Sequence, residues 1–598
     1  MTEIKNYEER LKEWNRARFA PQPERDLTPS EPSFVTEIGM RDGVKLYTEV
    51  FFQGAANRSC PVVLIRSPYP YSKLSRNDKL PVSRYLESGY VIVFQLTRGQ
   101  GQSEGTFHFY SDDVNDGYDT IAWIALQDWC DGNVGMQGPS YLGSTQLLAA
   151  RTKPPALKCI MPTAFVGNFP SSFPFSYGVP NKGPCMQWHQ VADAESSVDI
   201  DVAYCDANAL NHPKWGSAFK HRPLVEAANT VLSGDKLASW RETISHPMDD
   251  EYWAPIHFTD EELAELDIPI FFTDGWYDMT FGPIDFFSRL EEVHGHDQGP
   301  DRYLLVGPWN HYQTYSSSQP GEFDGDRKLP DNGAIDLVAQ RLAFFDRYLK
   351  GNNKVEVQKG RVRVYISGAA NSNANVWLNL LTFPAPDTTQ TLFYLHSQGQ
   401  AHNFPSDGVL NDQLPEQEPA DNYLYDPSLP TVSEVESFKD RRQTEIRADA
   451  LTYTTAPLVK PITILGEITL VLHAASDAID TDWFAVITEV FPDGESKSFH
   501  YAPPAFRARY REGFDREVFL TPNQPEAFKI PMGPAGHQIA AGNCLRLSIF
   551  SSAFPEYEPN TNTGNDAATD TEMCVAKQTI YHDAIRPSHI IVPVIELS

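Results

Sequence analysis

Long hydrophobic runs are missing from this chain of 598 residues. No stretch reaches the ~18 to 20 apolar residues that a membrane-spanning helix needs. The opening residues, MTEIKNYEERLKEW, are charged and contain no apolar signal core. These two absences predict a soluble cytoplasmic protein with no membrane partner. Cysteine is scarce: seven residues, at 60, 130, 159, 185, 205, 544 and 574, odd in number and without any CxxC. That excludes a disulfide framework and a zinc ribbon and predicts free, mostly buried thiols. HExxH is absent too, so neither metal nor cofactor is expected. Positive charge is in deficit, with 49 Lys and Arg against 79 Asp and Glu and a net charge of −30. A nucleic-acid partner needs a basic surface and is therefore excluded. The acidic balance suits neutral or cationic small molecules, although a solvated acidic surface explains it as well.

What is present points to a multidomain globular protein. Apolar residues make up 41% and aromatic residues 12%, and 46 prolines and 37 glycines imply many turns. A chain this long splits into roughly two to four cores. Residues 1–33 form a polar arm. Tyr7, Leu11 and Trp14 make a thin apolar stripe on a charged helix, followed by the proline-rich APQPERDLTPSEPS. Such a helix cannot support itself. It is expected to dock on its own globule or on a neighbouring subunit, which makes a homo-oligomer an open expectation.

Residues 34–165 alternate strand and helix. PVVLIRS (61–67) and YVIVFQL (90–96) read as buried strands. DGYDTIAWIALQDW (116–129) reads as a helix capped by Asp116, with Tyr118, Ile121, Ala122 and Ala125 on one face. GNVGMQG, YLGSTQLLAAR and LKCIMPTA follow as strand, helix and strand, so the sheet is mainly parallel. The alternation stops over 166–262, which reads as an inserted helical cap with short helical pieces at DEYWAPIHF and TDEELAEL. It resumes over 263–352 with IPIFFTDG, PIDFFSRLEEV and RYLLVGPW. Over 355–598 only strands and turns remain, from RVRVYISG to HIIVPVIEL, the texture of a jelly-roll β-sandwich. The expected class is thus α/β: a hydrolase-like core interrupted by a cap, plus an all-β domain.

GMQGPSYLGSTQLLAA (135–150) sets Ser140 on a sharp strand-to-helix turn flanked by small residues. Such a turn pushes a hydroxyl out at the reactive end of a parallel sheet and aims the next backbone N–H into the same space. The usual elbow is G-x-S-x-G. Here Ser140 is followed at +2 by Leu142 and at +3 by Gly143, so the motif alone fits a nucleophile or an ordinary glycine turn equally. A serine nucleophile needs a base, and the base needs an orienting acid, in the chain order Ser, Asp or Glu, His. Asp278 follows the strand IPIFFTDG, and His311 follows RYLLVGPW. Asp274 also ends the first of these strands, and His294 and His296 lie in the polar loop before the second; these are the weaker alternatives by position.

Taken together these stretches resemble the cocaine esterase and X-prolyl dipeptidyl-peptidase family of serine hydrolases. The resemblance rests on MRDGVKLYTEVF (40–51), RSPYPYSK (66–73), TRGQGQSEGTF (97–107), the run from 115 to 143 ending in GPSYLG, DGWYD (274–278), GPWNH (307–311) and SDAIDTDWFAVITEVFPDG (476–494). G-x-S-Y-x-G is that family's own elbow, which accounts for the displaced glycine. The resemblance implies an α/β-hydrolase core, a helical cap and a C-terminal jelly roll. It implies Ser140 as nucleophile, His311 as base, Asp278 as its orienter, and an oxyanion hole from the Tyr141 N–H and the Tyr69 hydroxyl, with Tyr71 the ambiguous neighbour. A phenol suits that role, being a neutral donor fixed at one end by its ring.

There are departures. Leu96 stands in QLTRG where the family often has an acid, which bears on local hydrogen bonding. Thr280 and Phe281 stand where relatives that hydrolyse α-amino-acid esters carry an acidic pair, and only about 33 polar residues precede the core where dipeptidyl-peptidases have a large domain. Both favour an esterase cleaving carboxylic esters of a small-molecule substrate. An acyltransferase, an amidase or X-Pro dipeptidyl-peptidase, and a non-catalytic binding protein are the alternatives. Trp188, Phe173 and Phe175 from the cap, with Trp276 and Phe281 from the core, are the expected pocket lining, or else cap packing.

Overall fold

The computed structural model describes residues 31–597 apart from 55–58, 75–80, 168–172, 193–208, 297, 316–322, 325, 370–371, 404–405, 433–436 and 502–503. The arm helix with Tyr7, Leu11 and Trp14, and any docking it performs, lies outside the described residues, as does Cys205.

The core is one twisted sheet. Its strands are β1 (Phe34–Gly39), β2 (Lys45–Phe51), β3 (Cys60–Ser67), β4 (Val91–Leu96), β5 (Cys130–Pro139), β6 (Leu157–Thr163), β7 (Ile270–Tyr277), β8 (Arg302–Asn310) and β9 (Val362–Gly368). The spatial order is β1-β2-β4-β3-β5-β6-β7-β8-β9. β1, β2 and β4 are joined antiparallel; from β4 to β9 every pairing is parallel. The parallel strands are apolar runs because helices cover both faces, and β4 and β7 are buried throughout. The described cysteines are free thiols, of which Cys130, Cys159 and Cys185 are buried.

Helix α1 (Asp113–Ala125) begins three residues before the sequence reading placed it, and its buried stripe is different. Asp116 is not a cap. It lies inside the helix, 1% exposed, and takes two hydrogen bonds from Arg98, at 2.7 and 3.1 Å. Asp113, Asp116, Gly117, Thr120, Ile121 and Ile124 face inward, while Ala122 is exposed. Hydrophobic periodicity misses this face because two arginines, Arg66 and Arg98, recruit carboxylates to it. Helix α2 (Tyr141–Arg151) packs closely on α1: a Cβ on Gly117 would stand 2.7 Å from that of Ala149.

Between β6 and β7 the cap contributes α3 (Lys182–Ala192) and α4 (Gly234–Ile244). DEYWAPIHF is not helical but a series of turns. The Asp250 carboxylate captures the Tyr252 N–H at 2.9 Å, a local bond that competes with helix formation, and Pro255 can donate nothing. TDEELAEL does form a short helix (Asp260–Ala264), closed by a capping box between Thr259 and Glu262. Helices α5 (Gly282–His294) and α6 (Leu337–Tyr348) complete the core.

The C-terminal domain is the β-rich sandwich. RVRVYISG, read from sequence as its first strand, forms β9 and belongs to both halves. Leu304 to Val306 of β8 pair with Val362 to Val364, while Ser367 and Gly368 pair with His537 and Gln538 of the sandwich. The sandwich also holds the cap. Glu558, 1% exposed, lies 2.8 Å from Lys182 and 2.9 Å from Arg222. No helix among the described residues is long and apolar enough to cross a membrane.

Candidate active site

The elbow closes β5 and opens α2. Ser140 sits there at φ 59°, ψ −129°, a conformation that L-residues avoid and that functional turns store as strain. Its N–H donates to the Thr163 carbonyl at 2.9 Å. Gly138, at φ 146°, could not carry a side chain, since a Cβ would lie 2.4 Å from that of Leu142. The second glycine falls at Ser+3 for a packing reason: a Cβ on Gly143 would meet Phe165 Cβ at 2.8 Å and the Thr163 carbonyl at 3.0 Å.

Tyr141 starts α2 and is fixed from behind. Its hydroxyl donates to Asp113 Oδ2 at 2.6 Å, Arg66 pairs with the other Asp113 oxygen at 2.9 Å, and Arg66 also donates to Gln95 Oε1 at 2.9 Å. Burial raises the Asp113 carboxyl to about 6 despite these partners. This buried chain holds the first turn of α2 and so the Tyr141 backbone. Leu96, the residue that departs from the family pattern, is buried beside it, and its carbonyl accepts from the Ser103 hydroxyl at 2.9 Å.

β7 and β8 are parallel neighbours, so their ends deliver Asp278 and His311 to the same edge. His311 Nδ1 lies 2.9 and 3.0 Å from the two Asp278 carboxylate oxygens. With a carboxylate accepting there, Nδ1 carries the proton and Nε2 is the free basic nitrogen. Thr280 steadies the acid: its backbone N–H and its hydroxyl donate to Asp278 Oδ1 at 2.9 and 3.0 Å. Asp274, the weighed alternative, is fully buried with Oδ1 accepting from the Gly275 N–H. Burial, reinforced by the Asp278 charge, holds its carboxyl well above the usual range. His294 and His296 bond to Leu263 and Glu291 respectively.

Tyr69 follows β3, its loop closed by reciprocal hydrogen bonds with Ser67 at 2.8 and 2.9 Å. Its hydroxyl accepts from the Trp188 indole N–H at 2.7 Å, and burial pushes the phenol well above its ordinary pKa. Tyr71 points elsewhere, packing on Phe51 and Phe94.

A cavity of about 470 Å³ opens beside Asp278 between core, cap and sandwich. Phe173 and Phe281 line it. Trp188 touches it indirectly, 6.1 Å from Phe173 ring to ring. The other two expected lining residues are packing residues. Phe175 is fully buried against Trp253, and the Trp276 indole N–H donates to the Tyr365 carbonyl at 2.6 Å under the sandwich. Asp285, Glu467 and Glu556 bring carboxyl groups to the cavity wall. Glu556 Oε2 is buried without a hydrogen-bond partner, and burial raises this carboxyl to about 8. Among the described residues no group of acidic, histidine or cysteine side chains could hold a metal.

Sequence reading passed over Thr280 as a supporting group and missed Tyr315 and Arg341. Tyr315 is 6% exposed and its ring stands edge-on to His311 at 5.4 Å. Arg341 holds its loop, donating to the Tyr315 and Thr314 carbonyls at 2.5 and 2.9 Å.

Comparison with known proteins agrees with this architecture. Residues 42–313 match the X-Pro dipeptidyl-peptidase (S15) family, and residues 353–591 match the X-Pro dipeptidyl-peptidase C-terminal non-catalytic domain. The cocaine esterase of Rhodococcus sp. (strain MB1 Bresler) is 31% identical over 588 residues, covering 94% of this chain and 98% of its own. The chain belongs to the cocaine esterase and S15 peptidase family. It is accordingly a serine hydrolase. The family fold is shared with a solved α-amino acid ester hydrolase, 26% identical with a TM-score of 0.77 over 96% of this chain and 98% of that one. An aminopeptidase from a marine-sediment Thaumarchaeota archaeon shares the fold at 24% identity, with a TM-score of 0.76 over 96% of this chain and 98% of that one.

Proposed function

We propose that this chain cleaves carboxylic esters by two-step acyl transfer, with Ser140 as nucleophile, His311 as base and Asp278 as its orienter. The bond from His311 Nδ1 to the Asp278 carboxylate at 2.9 Å carries the reading, because it leaves Nε2 as the nitrogen that can take the proton of a serine set on a strained turn. His311 takes the Ser140 proton as Oγ attacks the carbonyl carbon. The Tyr69 O–H and the Tyr141 N–H stabilise the oxyanion. His311 then protonates the departing alcohol, and water, activated by the same nitrogen, hydrolyses the acyl-enzyme. Phe173 and Phe281 receive the apolar part of the substrate in the cavity beside Asp278.

The test is a panel of p-nitrophenyl esters of graded acyl size, with Ser140→Ala as control and a serine-directed activity probe. Labelling at Ser140 and a loss of nearly all turnover in the variant are expected. Retained turnover in the variant would sink the assignment. Matched ester and amide substrates separate an esterase from the peptidase activity named in the matched family. Product analysis with a competing amine or alcohol separates hydrolysis from acyl transfer to another acceptor.

A further inference from the structure

The first turn of α2 lacks the side chain that normally anchors a helix start. Its N-cap is Ser140, and the Ser140 hydroxyl makes no capping bond, although serine is among the best N-caps. A capping bond would occupy a lone pair and blunt a nucleophile. The anchoring falls to the next residue. The buried Tyr141 hydroxyl donates to Asp113 Oδ2 at 2.6 Å and accepts from the Tyr110 N–H at 3.3 Å. Tyr110 reaches it from a left-handed backbone, φ 63°, which a bulky residue adopts only under constraint. Asp113 is fixed in turn by Arg66, which pairs with its other carboxylate oxygen at 2.9 Å and donates to its carbonyl at 3.1 Å. The Tyr141 ring carries the order further. It stacks on Tyr110 at 4.2 Å and on Trp188 at 5.8 Å, with interplanar angles of 17° and 14°. The Trp188 indole N–H donates to the Tyr69 hydroxyl at 2.7 Å. A backbone N–H at the start of α2 and a phenol in the loop after β3 thus trace back to one buried carboxylate.

Resting on the reading of the Tyr141 N–H and the Tyr69 hydroxyl as the oxyanion donors, we propose that Asp113 is a positioning residue for both, acting through the side chain of Tyr141. By holding the Tyr141 hydroxyl it fixes the residue whose own N–H is one donor. By holding the Tyr141 ring it sets the plane of Trp188, and the indole N–H then directs the Tyr69 phenol, the other donor. The two donors are aimed as a unit, although they come from different segments of the chain. Fixed donors act on the charge that develops on the carbonyl oxygen during attack, and they need no reorganisation at that moment. Loosening them therefore weakens transition-state binding and leaves ground-state binding of the ester nearly untouched. A merely structural role for Asp113 would not separate the two.

The experiment is steady-state hydrolysis of p-nitrophenyl acetate by Tyr141→Phe, alone and combined with Tyr69→Phe. Each protein is also inhibited with an aryl trifluoromethyl ketone, whose hemiketal adduct on a serine carries the oxyanion. Tyr141→Phe keeps the ring and its stacking and removes only the bond to Asp113. We expect kcat to fall about ten- to hundredfold, the worth of a hydrogen bond to a charged group, with KM changed by about twofold or less. Affinity for the ketone should fall by the same factor as kcat/KM. In the Tyr69→Phe background the same substitution should cost several-fold less, because one of the two donors it aims is already gone. Asp113→Asn should repeat the split between kcat and KM, and it carries the test if Tyr141→Phe folds poorly. A loss carried by KM, an unchanged affinity for the ketone, or losses that simply multiply with that of Tyr69→Phe overturns the proposal. A large loss in Tyr69→Phe beside an unchanged Tyr141→Phe refutes the proposal alone. Full activity in Tyr69→Phe refutes the donor assignment, and the proposal with it.

Discussion

The Trp188 indole N–H donates to the Tyr69 hydroxyl at 2.7 Å. An indole N–H can only donate, so the phenol oxygen is occupied on that side and its own proton must point elsewhere. Trp188 stacks on Tyr141 at 5.8 Å, which fixes the indole plane. Tyr69→Phe should lower kcat by roughly 10²–10³, the cost of one oxyanion donor. Trp188→Phe keeps the phenol but removes the bond that orients it, and should cost roughly three- to tenfold. Steady-state kinetics of both variants on one p-nitrophenyl ester checks the ranking, and equal losses would contradict it.

Asp278→Asn should reduce kcat by about 10⁴, since an amide cannot hold the imidazole in the tautomer that leaves Nε2 basic. Thr280→Val removes one of the two donors on Asp278 Oδ1. The backbone N–H of residue 280 alone then steadies the acid that orients the His311 ring. A fall in kcat of about tenfold or less on one p-nitrophenyl ester is expected, and an unchanged kcat would show that the hydroxyl does not help to hold the acid.

Gly143→Ala tests why the second elbow glycine is displaced. The added methyl meets Phe165 Cβ at 2.8 Å and the Thr163 carbonyl at 3.0 Å. Neither is the far end of a flexible side chain, so a destabilisation of about 1–3 kcal/mol is expected. Urea unfolding measures it, and kcat should fall because Thr163 also accepts the Ser140 N–H.

Glu556 makes stability depend on pH in a defined direction. Its folded-state carboxyl titrates near 8 because it is buried, whereas an unfolded glutamate titrates near 4.3. Folding therefore favours the protonated form. The associated stability is fully present below the unfolded value and is lost as pH rises through about 8. Glu556→Gln removes this group, so its melting temperature should fall less than the wild type's between pH 6 and pH 9. Parallel melting curves for the two proteins would refute the assignment.

Some of this protein could be read from residues alone because the signal is local or periodic. Ser140 announces itself by glycines a few positions away, β3 to β8 by apolar runs of strand length, and Asp278 and His311 by following two such strands. Other features exist only once distant segments meet. The inward face of α1 is polar because Arg66 arrives from β3 and Arg98 from the turn after β4, which hydrophobic periodicity cannot register. β9 looks like any sandwich strand, and pairing with both β8 and the sandwich is a matter of long-range register. Trp276 and Phe175 share their chemistry with pocket aromatics, and packing alone put them under the sandwich and against Trp253. Tyr315 carries no sequence mark at all: its ring stands edge-on to His311 in a loop whose carbonyls the buried Arg341 holds from α6. Spacing encodes the elements and the order of the reacting groups, but contact between groups hundreds of residues apart is decided by how those elements pack.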